Sequence, residues 1–205
     1  MKDQPHLTLP RGGVSRRAFL KGSGATAAAA AAISGTTAVE AAESRATFVA
    51  AETVSIELRV NGATHKVTVE PRTTLLDVLR YQLDLTGAKP VSIDASSGAS
   101  TVLIDGKPAS ANVVLALDCR GKHIQTAESL GGKDPDPVVK AFIKHDAMQC
   151  GFCTPGFVVA VRAFLDQHPN ATKEQILNGL NGNLCRCGTY ANVIMAALDA
   201  AKGGK

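Results

Sequence analysis

Residues 149–156 read Gln-Cys-Gly-Phe-Cys-Thr-Pro-Gly, and residues 182–190 read Gly-Asn-Leu-Cys-Arg-Cys-Gly-Thr-Tyr. The first stretch supplies a Cys-x2-Cys pair, Cys150 and Cys153, and the second a Cys-x-Cys pair, Cys185 and Cys187. A helix-forming run follows each pair at once. Thr154-Pro155 has the form of an N-cap and a first-turn proline opening GFVVAVRAFLDQ, and Tyr190 to Lys202 repeats apolar residues at helical spacing. Thiolates gathered at helix entries gain from exposed backbone N–H groups and from the positive end of the helix dipole. Two close pairs can hold a 2Fe-2S cluster, bind a tetrahedral zinc ion or close two disulfides, and spacing alone leaves all three open.

Around these pairs the apolar period is 3.6. Val138, Val139, Phe142 and Ile143 begin one helix, and Thr172 with Gln175 forms a capping box ahead of EQILNGL. Residues 138–202 therefore read as a module of four short helices. Upstream, residues 128–137 carry Gly131-Gly132 and two Asp-Pro steps and read as a linker. Before it the period falls to 2. VSIELRV and THKVTVE flank Asn61-Gly62, a strong hairpin signal. LLDVLRYQL follows as a helix that Gly87 is placed to end, and then come TVLI, a turn at Asp105-Gly106-Lys107, an apolar run from Val113 to Leu117 and a last short strand at HIQT. The expected class is α+β: a β-grasp, plant-type ferredoxin-like domain over residues 53–127, then the four-helix domain.

The two cysteine motifs, QCGFCTPG and GNLCRCGTY, behind a β-grasp outline resemble the small iron–sulfur subunit of the xanthine oxidase and aldehyde oxidoreductase family of molybdenum hydroxylases. The resemblance spans about residues 53–200. It implies that Cys150, Cys153, Cys185 and Cys187 hold one 2Fe-2S cluster, and that Gln149 and Cys187 approach the molybdopterin of a large partner subunit. It also implies electron transfer from molybdenum toward flavin or another acceptor, FAD residing on a further partner. With the N-terminal signal described below, the likeness is strongest to periplasmic aldehyde oxidoreductase iron–sulfur subunits.

In that family the β-grasp loop binds a second 2Fe-2S cluster through cysteines spaced x4 then x2, with a fourth some twelve residues on. This chain reads SIDASSGAS at residues 92–100, which puts Ser92, Ser97 and Ser100 on the first three positions and Asn112 on the fourth. Iron–sulfur clusters select soft, readily deprotonated thiolates over hydroxyl oxygen. This loop is therefore expected to hold no cluster. Cys119, seven residues past Asn112, reads as a small buried hydrophobe.

The chain has 205 residues, 45% apolar and 20% charged. Its first 42 residues are different text: Ser15-Arg16-Arg17-Ala18-Phe19-Leu20-Lys21, an alanine-rich run to Ser34, then small residues ending in Ala38 or Ala42. That is the layout of a twin-arginine (Tat) export signal, whose apolar part is too short for a permanent membrane anchor. Removing it takes five of 22 basic and two of 18 acidic residues, leaving 17 against 16 and turning a net +4 into +1. With no basic stripe left, a nucleic-acid partner is not expected. The Tat route carries folded proteins, which suits a cofactor loaded before export to the periplasm. The five histidines are scattered and the carboxylates form no motif, so no catalytic residue is expected in this chain. A structural or assembly role is the alternative to electron transfer.

Overall fold

The computed structural model describes residues 52–203. The signal segment and its cleavage site lie outside them.

Strands β1 (Val54–Val60) and β2 (Ala63–Val69) pair antiparallel, Val54 facing Val69 and Val60 facing Ala63. Between them Asn61 and Gly62 have φ of 51° and 83°. Two left-handed residues make the tight turn whose twist matches the strands it joins. Strict alternation sends Ile56, Leu58, Val60, Val67 and Val69 to the buried face. Strand β3 (Thr101–Ile104) turns through Asp105-Gly106 into β4 (Lys107–Ser110), and β5 (His123–Gln125) inserts between the hairpins, parallel to β1 and antiparallel to β3. The sheet order is β2-β1-β5-β3-β4, the mixed sheet of the expected β-grasp.

Helix α1 is regular only over Leu75–Asp77 and continues as a wider π turn over Val78–Gln82. Thr74 and Asp77 form a capping box at its start, the Asp77 N–H donating to Thr74 Oγ1 at 3.2 Å. The widening keeps Leu75, Leu76, Val78 and Leu79 all buried under the sheet. It also ends the helix early. Asp84, with φ of 55°, carries the chain out of it, so Gly87 does not serve as the stop. Instead the Gly87 N–H donates to Glu128 Oε1 at 2.7 Å. The run Val113 to Leu117 forms no strand: Leu115 makes a single bridge with Thr74, and Ala116–Cys119 is a 3-10 turn. Cys119 is buried as expected, and burial pushes its thiol pKa up.

The residues read as a linker are partly built in. Ala127–Leu130 is a 3-10 turn, and Glu128 also accepts from Thr126 Oγ1 at 2.5 Å. Thr126 in turn exchanges two hydrogen bonds with the Asn61 side chain, both 2.9 Å. Beyond it come α2 (Pro137–Lys144), α3 (Thr154–Gln167), α4 (Lys173–Gly179) and α5 (Tyr190–Gly203). The Thr172–Gln175 capping box forms as read. Thr154 departs from its reading: Cys153 occupies the N-cap of α3, and Thr154 lies inside the first turn. Val138, Phe142, Phe157, Val161, Ile176 and Val193 make the helical core, distinct from the core under the sheet. Leu103 of β3 joins Val159 and Ala163 of α3 in a small apolar cluster between the two.

Candidate metal centre

All five cysteines are free thiols. Cys150 and Cys153 sit in the loop that enters α3, and Cys185 and Cys187 in the loop that enters α5. The loops face each other, so that Cys153 lies beside Cys185 and Cys150 beside Cys187. Pairing thus runs across the two motifs rather than within them.

The electrostatics divide the thiols. Burial, with the neighbouring Cys185 sulfur, pushes Cys153 up to about 12. Burial also raises Cys185, but the Thr189 N–H, the Cys153 thiol and the N–H groups of Gly188 and Cys187 outweigh it and hold Cys185 below the ordinary thiol value. Cys187 receives the Cys150 N–H, which lowers it, yet the adjoining Cys150 sulfur and partial desolvation leave it raised. In the Cys153–Cys185 pair a raised thiol therefore rests against a sulfur that neighbouring N–H groups prepare for negative charge.

Cys150, Cys153 and Cys185 line a cavity of about 400 Å³ together with Ser97, Phe152, Leu184, Arg186 and Tyr190. Tyr190 fixes its wall: the Cys185 N–H donates to Tyr190 Oη at 2.8 Å, and the ring meets Phe157 edge-on at 6.1 Å. A 2Fe-2S cluster takes two cysteine thiolates on each of two irons. The cross-pairs supply that set.

The four substituted positions of the β-grasp loop also come together. Ser92 Oγ and Ser97 Oγ lie 2.8 Å apart, and the Ser97 N–H donates to Ser92 Oγ at 3.0 Å. Ser100 Oγ donates to Asn112 Oδ1 at 2.6 Å, while Asn112 Nδ2 donates to the carbonyls of Ser92 and Ile93 at 2.7 and 3.0 Å. The four side chains form a closed hydrogen-bond network. Sequence reasoning found the positions but not this mutual satisfaction, which needs the loop's coordinates.

The loop is clamped to the helical module. Asn183 Nδ2 donates to the Gly98 carbonyl at 2.9 Å, and the Leu184 N–H donates to the Ser97 carbonyl at 3.0 Å. Contact is so close that a Cβ on Gly156 would lie 2.5 Å from Gly98 O. Asn183 is buried and was not singled out in the sequence, although it stands two residues before Cys185. Gln149, Cys150 and Cys187 are exposed on the outer side, with Met148, Phe152 and Leu184 about half exposed around them.

The family described as 2Fe-2S binding domain matches residues 126–198, the part that holds all four paired cysteines. Over 98% of its length the chain is 40% identical to the aldehyde oxidoreductase iron–sulfur-binding subunit PaoA of Escherichia coli O157:H7, covering 92% of that protein. The chain belongs to the iron–sulfur subunits of the molybdenum hydroxylases. The nicotinate dehydrogenase small FeS subunit of Eubacterium barkeri is 36% identical over 73% of the chain and 96% of its own length. Among solved structures, quinoline 2-oxidoreductase from Pseudomonas putida 86 superposes with a TM-score of 0.71 at 34% identity, covering 74% of this chain and 95% of that one. A molybdenum hydroxylase iron–sulfur subunit is an electron-transfer part of an oxidoreductase, and the chemistry that a bound 2Fe-2S cluster supplies here is one-electron transfer. What this chain contributes is the thiol set, the N–H groups aimed at Cys185 and a cavity walled by Phe152, Leu184 and Tyr190.

Proposed function

We propose that this chain carries a single 2Fe-2S cluster, on Cys150, Cys153, Cys185 and Cys187, and delivers electrons one at a time from a molybdopterin-bearing large subunit toward an acceptor. The observation that carries this reading is the contrast between two sites of ligand spacing: four thiols in cross-pairs, three of them lining one cavity, and a Ser92–Ser97–Ser100–Asn112 network with its polar atoms bonded to one another. Gln149 and Cys187 face the pterin. Both are exposed, and the apolar rim of Met148, Phe152 and Leu184 suits a surface that a partner covers. An FAD subunit or another redox protein takes the electrons onward. The oxidised substrate is an aldehyde or an N-heterocycle, by likeness to the aldehyde oxidoreductase and nicotinate dehydrogenase relatives.

Residues 1–42 act as a Tat signal and place the complex in the periplasm. The Eubacterium barkeri relative aligns with only 73% of this chain yet is covered over 96% of its own length, which is consistent with the N-terminal part being an addition to the iron–sulfur subunit. Iron and sulfide assays of the purified complex should give two of each per chain for this subunit, and added substrate should bleach its visible spectrum rapidly. Four irons on the chain would overturn the single-cluster reading. A cluster that substrate does not reduce would leave the chain a purely structural part.

A further inference from the structure

Among the described residues, three buried side-chain nitrogen or oxygen atoms have no hydrogen-bond partner: Arg80 Nε, Thr154 Oγ1 and Thr189 Oγ1. Arg80 is occupied through its Nη1, which donates to the carbonyls of Thr86 and Ala88, both at 2.8 Å. The two threonines have no such outlet. Thr154 follows Cys153, and Thr189 is two residues past Cys187, with its N–H on the Cys185 sulfur. Thr189 stands just ahead of α5, where a threonine hydroxyl ordinarily caps a backbone N–H, and does not do so, while Thr154 lies inside the first turn of α3. Thr189 is only 4% exposed, away from bulk water. A buried polar group left unsatisfied costs roughly 1–3 kcal/mol, and folded proteins rarely keep one without a use.

We infer that Thr154 and Thr189 donate O–H···S hydrogen bonds to the sulfur of the bound cluster and raise its reduction potential. The acceptors the two hydroxyls lack within the protein would be sulfurs of a cluster seated between the two loops. A reduced cluster is one charge more negative than an oxidised one, so donors on its sulfurs favour the reduced state. The consequence is directional: electrons from the large subunit are drawn onto this chain. The inference rests on the cluster being held by Cys150, Cys153, Cys185 and Cys187. Were that reading wrong, the wild-type complex itself would lack the iron, a result separate from any below.

The test is an EPR-monitored redox titration of the loaded full-chain complex. Thr189→Val and Thr154→Val should each lower the midpoint potential, the shift corresponding to roughly threefold to tenfold in the reduced-to-oxidised ratio, where tenfold is about 59 mV for a one-electron couple. Thr→Ser at either position keeps the donor and should stay near wild type. Where a valine variant does not load, Thr→Ala repeats the measurement without added bulk. Val or Ala variants that load to two irons per chain with an unchanged potential overturn the proposal. If neither Val nor Ala loads while Ser does, the hydroxyl is shown to be required at the cluster; if Ser also fails to load, methyl packing is the requirement and the proposal falls.

Discussion

The N–H of Leu184 donates to the carbonyl of Ser97 at 3.0 Å, joining the residue before Cys185 to the middle of the serine-rich β-grasp loop. Ser97 and Cys185 line the same cavity. Ser97 thus helps to wall the cysteine site, and the β-grasp loop is under structural constraint.

Asn112 is the centre of that constraint, accepting from Ser100 and donating to two loop carbonyls. Asn112→Ala leaves Ser100, which is buried, without its acceptor. It should cost about 1–3 kcal/mol in chemical denaturation and raise amide exchange over residues 92–97, with the visible spectrum unchanged. Ser97→Ala removes a half-buried contact and should cost under about 1 kcal/mol. More than two irons per chain, falling with either substitution, would mean that the loop binds metal.

Asn183→Ala breaks the clamp from the other side, and Gly156→Ala drives a methyl group into Gly98 O. Each should lower stability by about 1–3 kcal/mol. Unfolding followed by circular dichroism checks the magnitude, and iron content reports whether the cavity loosens with the clamp. Wild-type stability in both variants would show that the modules are held by other contacts.

Lys144 and then His145 hold the Asp199 carboxyl below the usual carboxylate range, with contacts of 2.7 and 3.0 Å. Because the native value is the lower one, this contribution is complete above the unfolded carboxylate value of about 3.9 and disappears as pH falls through the native value. Asp199→Asn should therefore melt below wild type at neutral pH and converge with it on acidification. Parallel melting curves across that range would exclude the linkage.

Cysteines restored together at positions 92, 97, 100 and 112 should rebuild a second cluster, because the four side chains already converge. Four irons per chain after reconstitution is the expected count. Faster acceptor reduction after substrate would place the rate limit at the missing relay position. An unchanged rate would mean that electrons leave directly from the helical module.

The legible parts of this chain were those governed by local chemistry. Asn61-Gly62 could hardly be anything but a tight turn, and Thr172 with Gln175 needs only its own helix. The cysteine motifs were equally plain. What was misread depended on distant partners. Thr154 looks like a cap in isolation, but the cavity loop starts α3 one residue sooner. Gly87 looks like a helix stop, yet its N–H is engaged by Glu128 from 41 residues away. The run Val113 to Leu117 has a strand's composition, but Leu115 and Ala116 are drawn against the start of α1, where the Ala116 N–H bonds the Thr73 carbonyl. Asn183 carried no sequence signal because its partner, Gly98, is 85 positions earlier.

Glu128 sets a rule for anyone recombining this subunit with a relative. Its carboxylate accepts from Gly87 and Thr126, and Thr126 is tied to the turn at Asn61. By sequence Glu128 belongs to the connecting segment, but by bonding it is a peg in the wall of the sheet. A chimera joined just ahead of residue 128 would pull that peg out and import a foreign one, leaving the Gly87 N–H unserved even if every strand were native. The workable crossover lies past the 3-10 turn that ends at Leu130, around Gly131-Gly132, where the exchanged helical half brings all four paired cysteines with it.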